Sequence, residues 1–219
     1  MTAFDFEQAR YNMVEQQVRT WDVLDQRVLD LLFEVRREDF VPPAYRTLAF
    51  ADLEIPLGEG ERMWPPKLEA RVVQELDLDR NDAVLEVGTG SGYLTALLAR
   101  SSAAVTSVEI ITRFSADAAG KLARAGIVNA RLEVGDCARG WDDRQYDAIV
   151  LAGSTPVLPD SWLQQLKPGG RLFAVVGDPP VMTARLIRST APGAFATEDL
   201  FETVIAPLRN AAQPVRFVF

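Results

Sequence analysis

Apolar residues recur near helical spacing early in the chain. Val23, Leu24, Val28, Leu31, Leu32 and Val35 mark a helix over residues 22–37, and residues 5–19 read as a helix before it. Phe40-Val41-Pro42-Pro43 breaks that pattern. From 41 to 66 the chain reads as loop, punctuated by Pro42, Pro43, Pro56, Gly58, Gly60, Pro65 and Pro66. Pro66 suits the first turn of a helix that runs to Leu76.

From Asp82 onward the rhythm changes to short β-branched runs at 83–87, 104–108, 130–134, 147–151 and 171–176. Helical stretches fit between them at 92–100, 113–125 and 159–166, the last leading into a Lys167-Pro168-Gly169-Gly170 stop. Alternation of this kind predicts a doubly wound, mostly parallel Rossmann-like α/β sheet with helices on both faces. Residues 182–189 and 195–204, joined by Ala191-Pro192-Gly193-Ala194, predict an antiparallel C-terminal hairpin on the sheet edge. The apolar Val215, Phe217 and Val218 suggest that the C-terminal tail docks on the domain.

Composition narrows the chemistry. With 219 residues, 48% of them apolar, the chain is long enough for one well-buried domain. Its net charge is −8, and residues 1–66 hold 7 basic against 13 acidic side chains, so the front third carries most of the deficit. Nucleic acid is thereby excluded as an expected partner, because affinity for phosphates comes from clustered Lys and Arg. The chain has no His, which removes Ser-His-Asp and Cys-His hydrolysis, His-ligated zinc and imidazole acid–base catalysis. No metal site is expected. A single Cys, Cys137, fits a reducing compartment, and no signal or membrane segment is evident, so the expectation is a soluble cytoplasmic protein with no membrane partner.

The informative segment is Val84-Leu85-Glu86-Val87-Gly88-Thr89-Gly90-Ser91-Gly92-Tyr93. A strand, a Gly-x-Gly-x-Gly turn and a helix place residues without Cβ where a nucleotide-like ligand approaches the backbone. In the dinucleotide fingerprint the third glycine comes one position later, where Tyr93 stands, and a pyrophosphate would be repelled by Glu86. NAD-dependent hydride transfer is the competing reading, disfavoured on both counts. An acid before the glycines suits a cation, and S-adenosylmethionine carries an ammonium and a sulfonium and no phosphate.

A second acid, Glu109, ends the next strand, where it can accept hydrogen bonds from ribose hydroxyls; a third, Asp136, follows the strand after that and can take an adenine amino group. The predicted cofactor-binding set is therefore Glu86, Gly88, Thr89, Gly90, Ser91, Gly92, Glu109, Ile110, Asp136 and Cys137. Cys137 reads as a small buried hydrophobe within it, since nothing nearby would lower its pKa.

At this point the chain resembles the protein-L-isoaspartate O-methyltransferase family over nearly its whole length. The resemblance rests on Met13-Val14-Glu15-Gln16-Gln17, Asp25-Gln26-Arg27-Val28-Leu29, Arg37-Glu38-Asp39-Phe40-Val41-Pro42 and Pro56-Leu57-Gly58-Glu59-Gly60. It continues through residues 84–93, Ser107-Val108-Glu109, Tyr146-Asp147-Ala148-Ile149-Val150 and Leu166-Lys167-Pro168-Gly169-Gly170-Arg171-Leu172. It implies a helical cap and substrate loop over 1–66 and an S-adenosylmethionine-binding methyltransferase domain over 67–219, together one compact unit. The implied activity is protein repair: methyl transfer to the α-carboxylate of an isoaspartyl residue in a damaged peptide or protein, giving an ester that collapses to a succinimide. Such an acceptor is already ionised at pH 7, so a chain without histidine can serve it by alignment and exclusion of water.

Two stretches depart from the family pattern, the substrate loop and Ala152-Gly153-Ser154-Thr155-Pro156 after the fourth strand, which stands where the family carries an alanine-rich run. Where the family's substrate loop carries Thr and Ser hydroxyls at the reacting carboxylate, this chain reads Gly60-Glu61-Arg62-Met63-Trp64-Pro65-Pro66, with Arg62 and Trp64 in those places. Both are candidate catalytic residues. Three readings stay open: Arg62 clamps a substrate carboxylate, Trp64 reshapes the site for a different small acceptor, or the fold persists as a cofactor-binding module without transfer.

Overall fold

The computed structural model describes residues 4–214, so the expected docking of Val215, Phe217 and Val218 lies outside the described residues. The chain opens with α1 (Phe6–Met13), capped by Asp5, whose side chain accepts from the Gln8 amide; a π-helical turn over Val14–Val18 and a 3₁₀ turn over Arg19–Trp21 extend it. The single helix expected over 5–19 is thus three kinds of turn in succession. Next, α2 (Gln26–Glu34) begins where the Asp25 carboxylate accepts the Arg27 amide and ends where Val35 turns extended, which is shorter than the 22–37 expected.

Residues 55–63, expected as loop, form a small antiparallel hairpin of β1 (Ile55–Gly58) and β2 (Glu61–Met63). Its turn holds Gly58, Glu59 and Gly60 all at positive φ, and two strands this short leave no periodic trace in a sequence rich in turn residues. The helix α3 (Pro66–Leu76) starts with its proline at the first helical position, as expected.

The main sheet has seven strands: β3 (Ala83–Val87), β4 (Ala104–Glu109), β5 (Ala130–Val134), β6 (Tyr146–Thr155), β7 (Leu166–Asp178), β8 (Val181–Ala191) and β9 (Ala194–Glu202). Their spatial order is β5-β4-β3-β6-β7-β8-β9, parallel through β7 and antiparallel for β7–β8 and β8–β9. The mostly parallel sheet with a C-terminal hairpin and a helical cap is therefore as the sequence predicted. Connecting helices are α4 (Tyr93–Ser101), α5 (Thr112–Arg124) and α6 (Asp160–Gln164).

Strand alternation divides the core between the two faces of the sheet. Val84, Val150 and Phe173 join a cluster with α3, α4 and the N-terminal helices; Leu85, Ile149 and Leu151 pack with Trp162 of α6 in a second. The chain enters the sheet at β3, builds outward through β4 and β5, then returns to β6 on β3's other side. That reversal leaves a crevice at the carboxyl end of β3, where open α/β sheets bind ligands. Among the described residues no helix is long and apolar enough to cross a membrane.

Candidate active site

A cleft opens at that crevice. Its floor is the glycine loop after β3, its sides are the ends of β4 and β5, and its far wall is the β1–β2 hairpin. Gly88, Thr89, Gly90 and Ser91 line it, as do Glu109, Ile110, Asp136 and Cys137, so eight of the ten predicted cofactor residues share one surface. Gly88 at φ +98 takes a backbone turn that a side chain would strain.

Glu109 is 5% exposed, and both of its oxygens hold backbone: Oε2 accepts from the Gly90 amide at 2.8 Å and Oε1 from the Ile111 amide at 2.9 Å. The carboxylate thus ties the glycine loop to the end of β4 and keeps free lone pairs in the cleft. Asp136 accepts from the Ala138 amide at 3.1 Å and from the Asn210 side-chain amide at 2.8 Å. Cys137 is buried, and burial pushes its thiol up to about 12, so it is an apolar wall atom and no nucleophile.

Glu86 and Gly92 stand elsewhere. Period two turns Glu86 toward the face of β3 that packs on α4, away from the cleft, where it is fully buried. Thr95 Oγ1 donates to its Oε2 at 2.5 Å and Ser107 Oγ at 2.6 Å, while Ser107 also meets Thr89 Oγ1 at 2.6 Å. Burial pushes the Glu86 carboxyl up to about 8, so at neutral pH it is mostly protonated. It braces the loop from behind and offers no charge to a ligand, which corrects the expectation that it faces a cation. Gly92, at the N-terminus of α4, lacks a Cβ that would stand 3.0 Å from that of Ala118; it lets α4 and α5 approach and lines no cleft.

Arg62 and Trp64 both border the cleft. Arg62 is about half exposed, with Nε 3.9 Å from Glu54 Oε2, a loose ion pair outside hydrogen-bond range that leaves the N–H donors of its guanidinium open to another anion. Trp64 is 7% exposed and packed in the main core. Its carbonyl accepts from Arg37 Nη2 at 2.6 Å, and Arg37 also donates to the Ala49 carbonyl and to Glu69, all in the interior. One buried guanidinium therefore fixes the end of the hairpin to the cap and to α3.

A further wall was not anticipated. Residues Ala206–Arg209, beyond β9, cross back over the end of β6: the Ser154 amide donates to Ala206 O at 2.9 Å and the Leu208 amide to Ser154 O at 2.9 Å. Arg209 then reaches Glu61 at 2.7 Å and the Glu59 carbonyl at 2.7 Å. Only Pro207, five residues beyond the end of β9, hints at this strap in the sequence.

Electrostatically the cleft suits a cationic cofactor. Among the described residues no Lys or Arg lies within ion-pair distance of Glu109 or Asp136, so these two carboxylates would repel a pyrophosphate and attract an ammonium or sulfonium. Ile110, 37% exposed on the same wall, offers an apolar face for a flat ring.

Comparison with known proteins agrees. The family model for protein-L-isoaspartate(D-aspartate) O-methyltransferase matches residues 8–213. A protein-L-isoaspartate O-methyltransferase of Petrotoga mobilis is 34% identical over 93% of this chain and 97% of its own. One from Methanoculleus marisnigri is 40% identical over 77% of each chain. In fold, the chain superposes with TM-score 0.77 and 17% identity on a Plasmodium falciparum chain described as a protein-L-isoaspartate O-methyltransferase, crystallised with S-adenosyl-L-homocysteine; 94% of this chain and 99% of that one are covered. With the family model spanning nearly all the described residues and a glycine-loop cleft to match, the chain belongs to the protein-L-isoaspartate(D-aspartate) O-methyltransferase family.

Proposed function

We propose that the protein methylates the free α-carboxylate of an isoaspartyl residue in a damaged polypeptide, using S-adenosylmethionine. The observation that carries this reading is the single cleft in which the glycine loop, two unpaired carboxylates and the Arg62-bearing hairpin face one another. Residues 67–214 supply the cofactor wall, and residues 4–66 supply the cap and hairpin. When bound, S-adenosylmethionine supplies an electrophilic methyl group on a sulfonium that departs as a neutral thioether.

The chain's own residues hold and align. Glu109 accepts ribose hydroxyls with the lone pairs its backbone partners leave, and Asp136 accepts an adenine amino group beside Ile110 and Cys137. Arg62 holds the acceptor carboxylate by paired N–H donors, doing with a fixed fork what hydroxyls do elsewhere in the family. Trp64, packed in the core, closes the site against water. No side chain must take up a proton, because the acceptor is already an anion, which suits a chain without histidine.

Radiolabelled methyl transfer to an isoaspartyl peptide beside its aspartyl twin tests the proposal. Base-labile label on the isoaspartyl peptide alone supports it. Label on neither, with S-adenosylhomocysteine still bound in calorimetry, would shift the reading to a different small acceptor, which the lack of a hydroxyl between Glu61 and Trp64 favours. The Arg62→Ala variant should raise the acceptor KM about tenfold or more while leaving cofactor affinity unchanged, as expected for loss of a charged hydrogen-bond pair.

A further inference from the structure

A second groove adjoins the cleft and shares Leu57, Gly90, Ser91 and Phe114 with it. It runs between the N-terminal cap and α5, with a volume of about 960 Å³. Its charge runs against that of the chain. Arg36, Arg46, Arg100, Arg113, Lys121 and Arg124 line it, in a protein of net charge −8.

The groove's own acids offset this only in part. Glu38 is buried and neutralised by Arg10 from behind; Asp39 pairs with Arg46 at 2.8 Å and Glu34 with Arg100 at 3.2 Å, which leaves Asp117. Four cations hold no hydrogen-bonded carboxylate, and two of them, Lys121 and Arg124, have none within ion-pair distance among the described residues. Arg113 is 3.7 Å from Glu59 and Arg36 is 4.0 Å from Glu7, both beyond hydrogen-bond range. Lys121 donates only to the carbonyls of Phe40 and Ser91, and among the described residues no carboxylate lies within 4.0 Å of Lys121 or Arg124. Lys121 thereby places one ammonium where groove and glycine loop meet.

We propose that this groove is a subsite for an acidic stretch of the polypeptide substrate, flanking the residue whose carboxylate enters the cleft. The inference rests on the methyl-acceptor reading above and adds a substrate preference to it. An extended peptide leaving the cleft past Leu57 enters the groove directly, and its Asp and Glu side chains meet Arg36, Arg113 and Arg124, which hold no hydrogen-bonded carboxylate of their own. Such contacts lie at a rim in water, so they act chiefly on encounter and affinity and are screened by salt.

The test uses the full chain and has two arms. In the first, a fluorescent Glu-rich peptide with no isoaspartyl residue is titrated by anisotropy at low and at 0.5 M salt (about half the screening length of physiological salt). Binding at low salt that salt weakens, and that Arg36→Glu with Arg124→Glu weakens about tenfold, is expected, with S-adenosylhomocysteine affinity and melting temperature unchanged. Equal binding by the double variant, or tighter binding of a single-stranded oligonucleotide of matched charge, would overturn the proposal. In the second arm, isoaspartyl peptides with Glu-rich, neutral or Lys-rich flanks are compared as substrates; the Glu-rich one should show the lowest KM, with kcat alike. Absence of methylation with the first arm intact sinks the acceptor reading and leaves the groove standing, whereas equal KM values across the three flanks sink the groove alone.

Discussion

Arg209 Nε lies 2.7 Å from Glu61 Oε1, joining residues 148 positions apart and closing the C-terminal strap onto the hairpin. The next residue, Asn210, holds Asp136 at 2.8 Å. One short segment thus touches both the hairpin that faces the acceptor and a carboxylate that faces the cofactor.

Removing this link should loosen the acceptor wall and little else. Arg209→Ala is expected to raise the acceptor KM several-fold with kcat and global stability nearly unchanged, because the exposed pair itself contributes at most about 1 kcal/mol. Steady-state kinetics alongside thermal melting separate the two effects; a large drop in melting temperature with an unchanged KM would contradict it.

Glu109 is the residue on which cofactor affinity should depend most. Glu109→Ala removes a charged acceptor and frees the amides of Gly90 and Ile111, so S-adenosylhomocysteine binding should weaken by about 1.5–3 kcal/mol, roughly tenfold to over a hundredfold. Calorimetry gives the number directly.

Glu86 carries a pH signature. Its folded pKa is raised, to about 8 from an ordinary 4.5, so the native state holds a proton that the unfolded chain has lost. Stability from this group is complete below about pH 4.5 and falls, by up to about 1.4 kcal/mol per pH unit, as pH rises toward 8. Glu86→Gln keeps a neutral group of the same shape. In urea unfolding its stability should therefore gain on the wild type between pH 5 and pH 8; parallel curves would show that Glu86 is ionised throughout.

Arg37 and Glu69 form a pair inside the core, 0% and 3% exposed. Arg37→Met leaves the Glu69 carboxylate buried and uncompensated, at a cost of about 3–5 kcal/mol, and releases the Trp64 carbonyl. The double variant Arg37→Met with Glu69→Leu should recover most of that loss. Chemical denaturation of the three proteins measures the coupling.

Much of this molecule is written locally. The β-branched runs at 83–87 and 130–134 coincide with β3 and β5, and the glycine loop, Glu109 and Asp136 line the cleft, because strand runs, turn glycines and strand-end acids depend on near neighbours along the chain. Helix ends were legible less sharply: α2 stops at Glu34 although Val35 keeps the apolar spacing.

Other features depended on partners far away in sequence. Glu86 sits beside the glycines in the chain, yet the face it occupies belongs to Thr95 and Ser107, so a residue read as a ligand for a cation is a neutral brace. The hairpin of residues 55–63 and the strap of Ala206–Arg209 are fixed by each other and by β6, with little local pattern of their own. Charge follows the same division. Composition counts thirteen acids in residues 1–66, but folding places all of them except Asp5 and Asp30 within ion-pair distance of an Arg or Lys, several of these, such as Arg100 and Arg209, from beyond residue 66. A count of charges is a property of the sequence, whereas the field an anionic substrate meets depends on which charges packing has already paired.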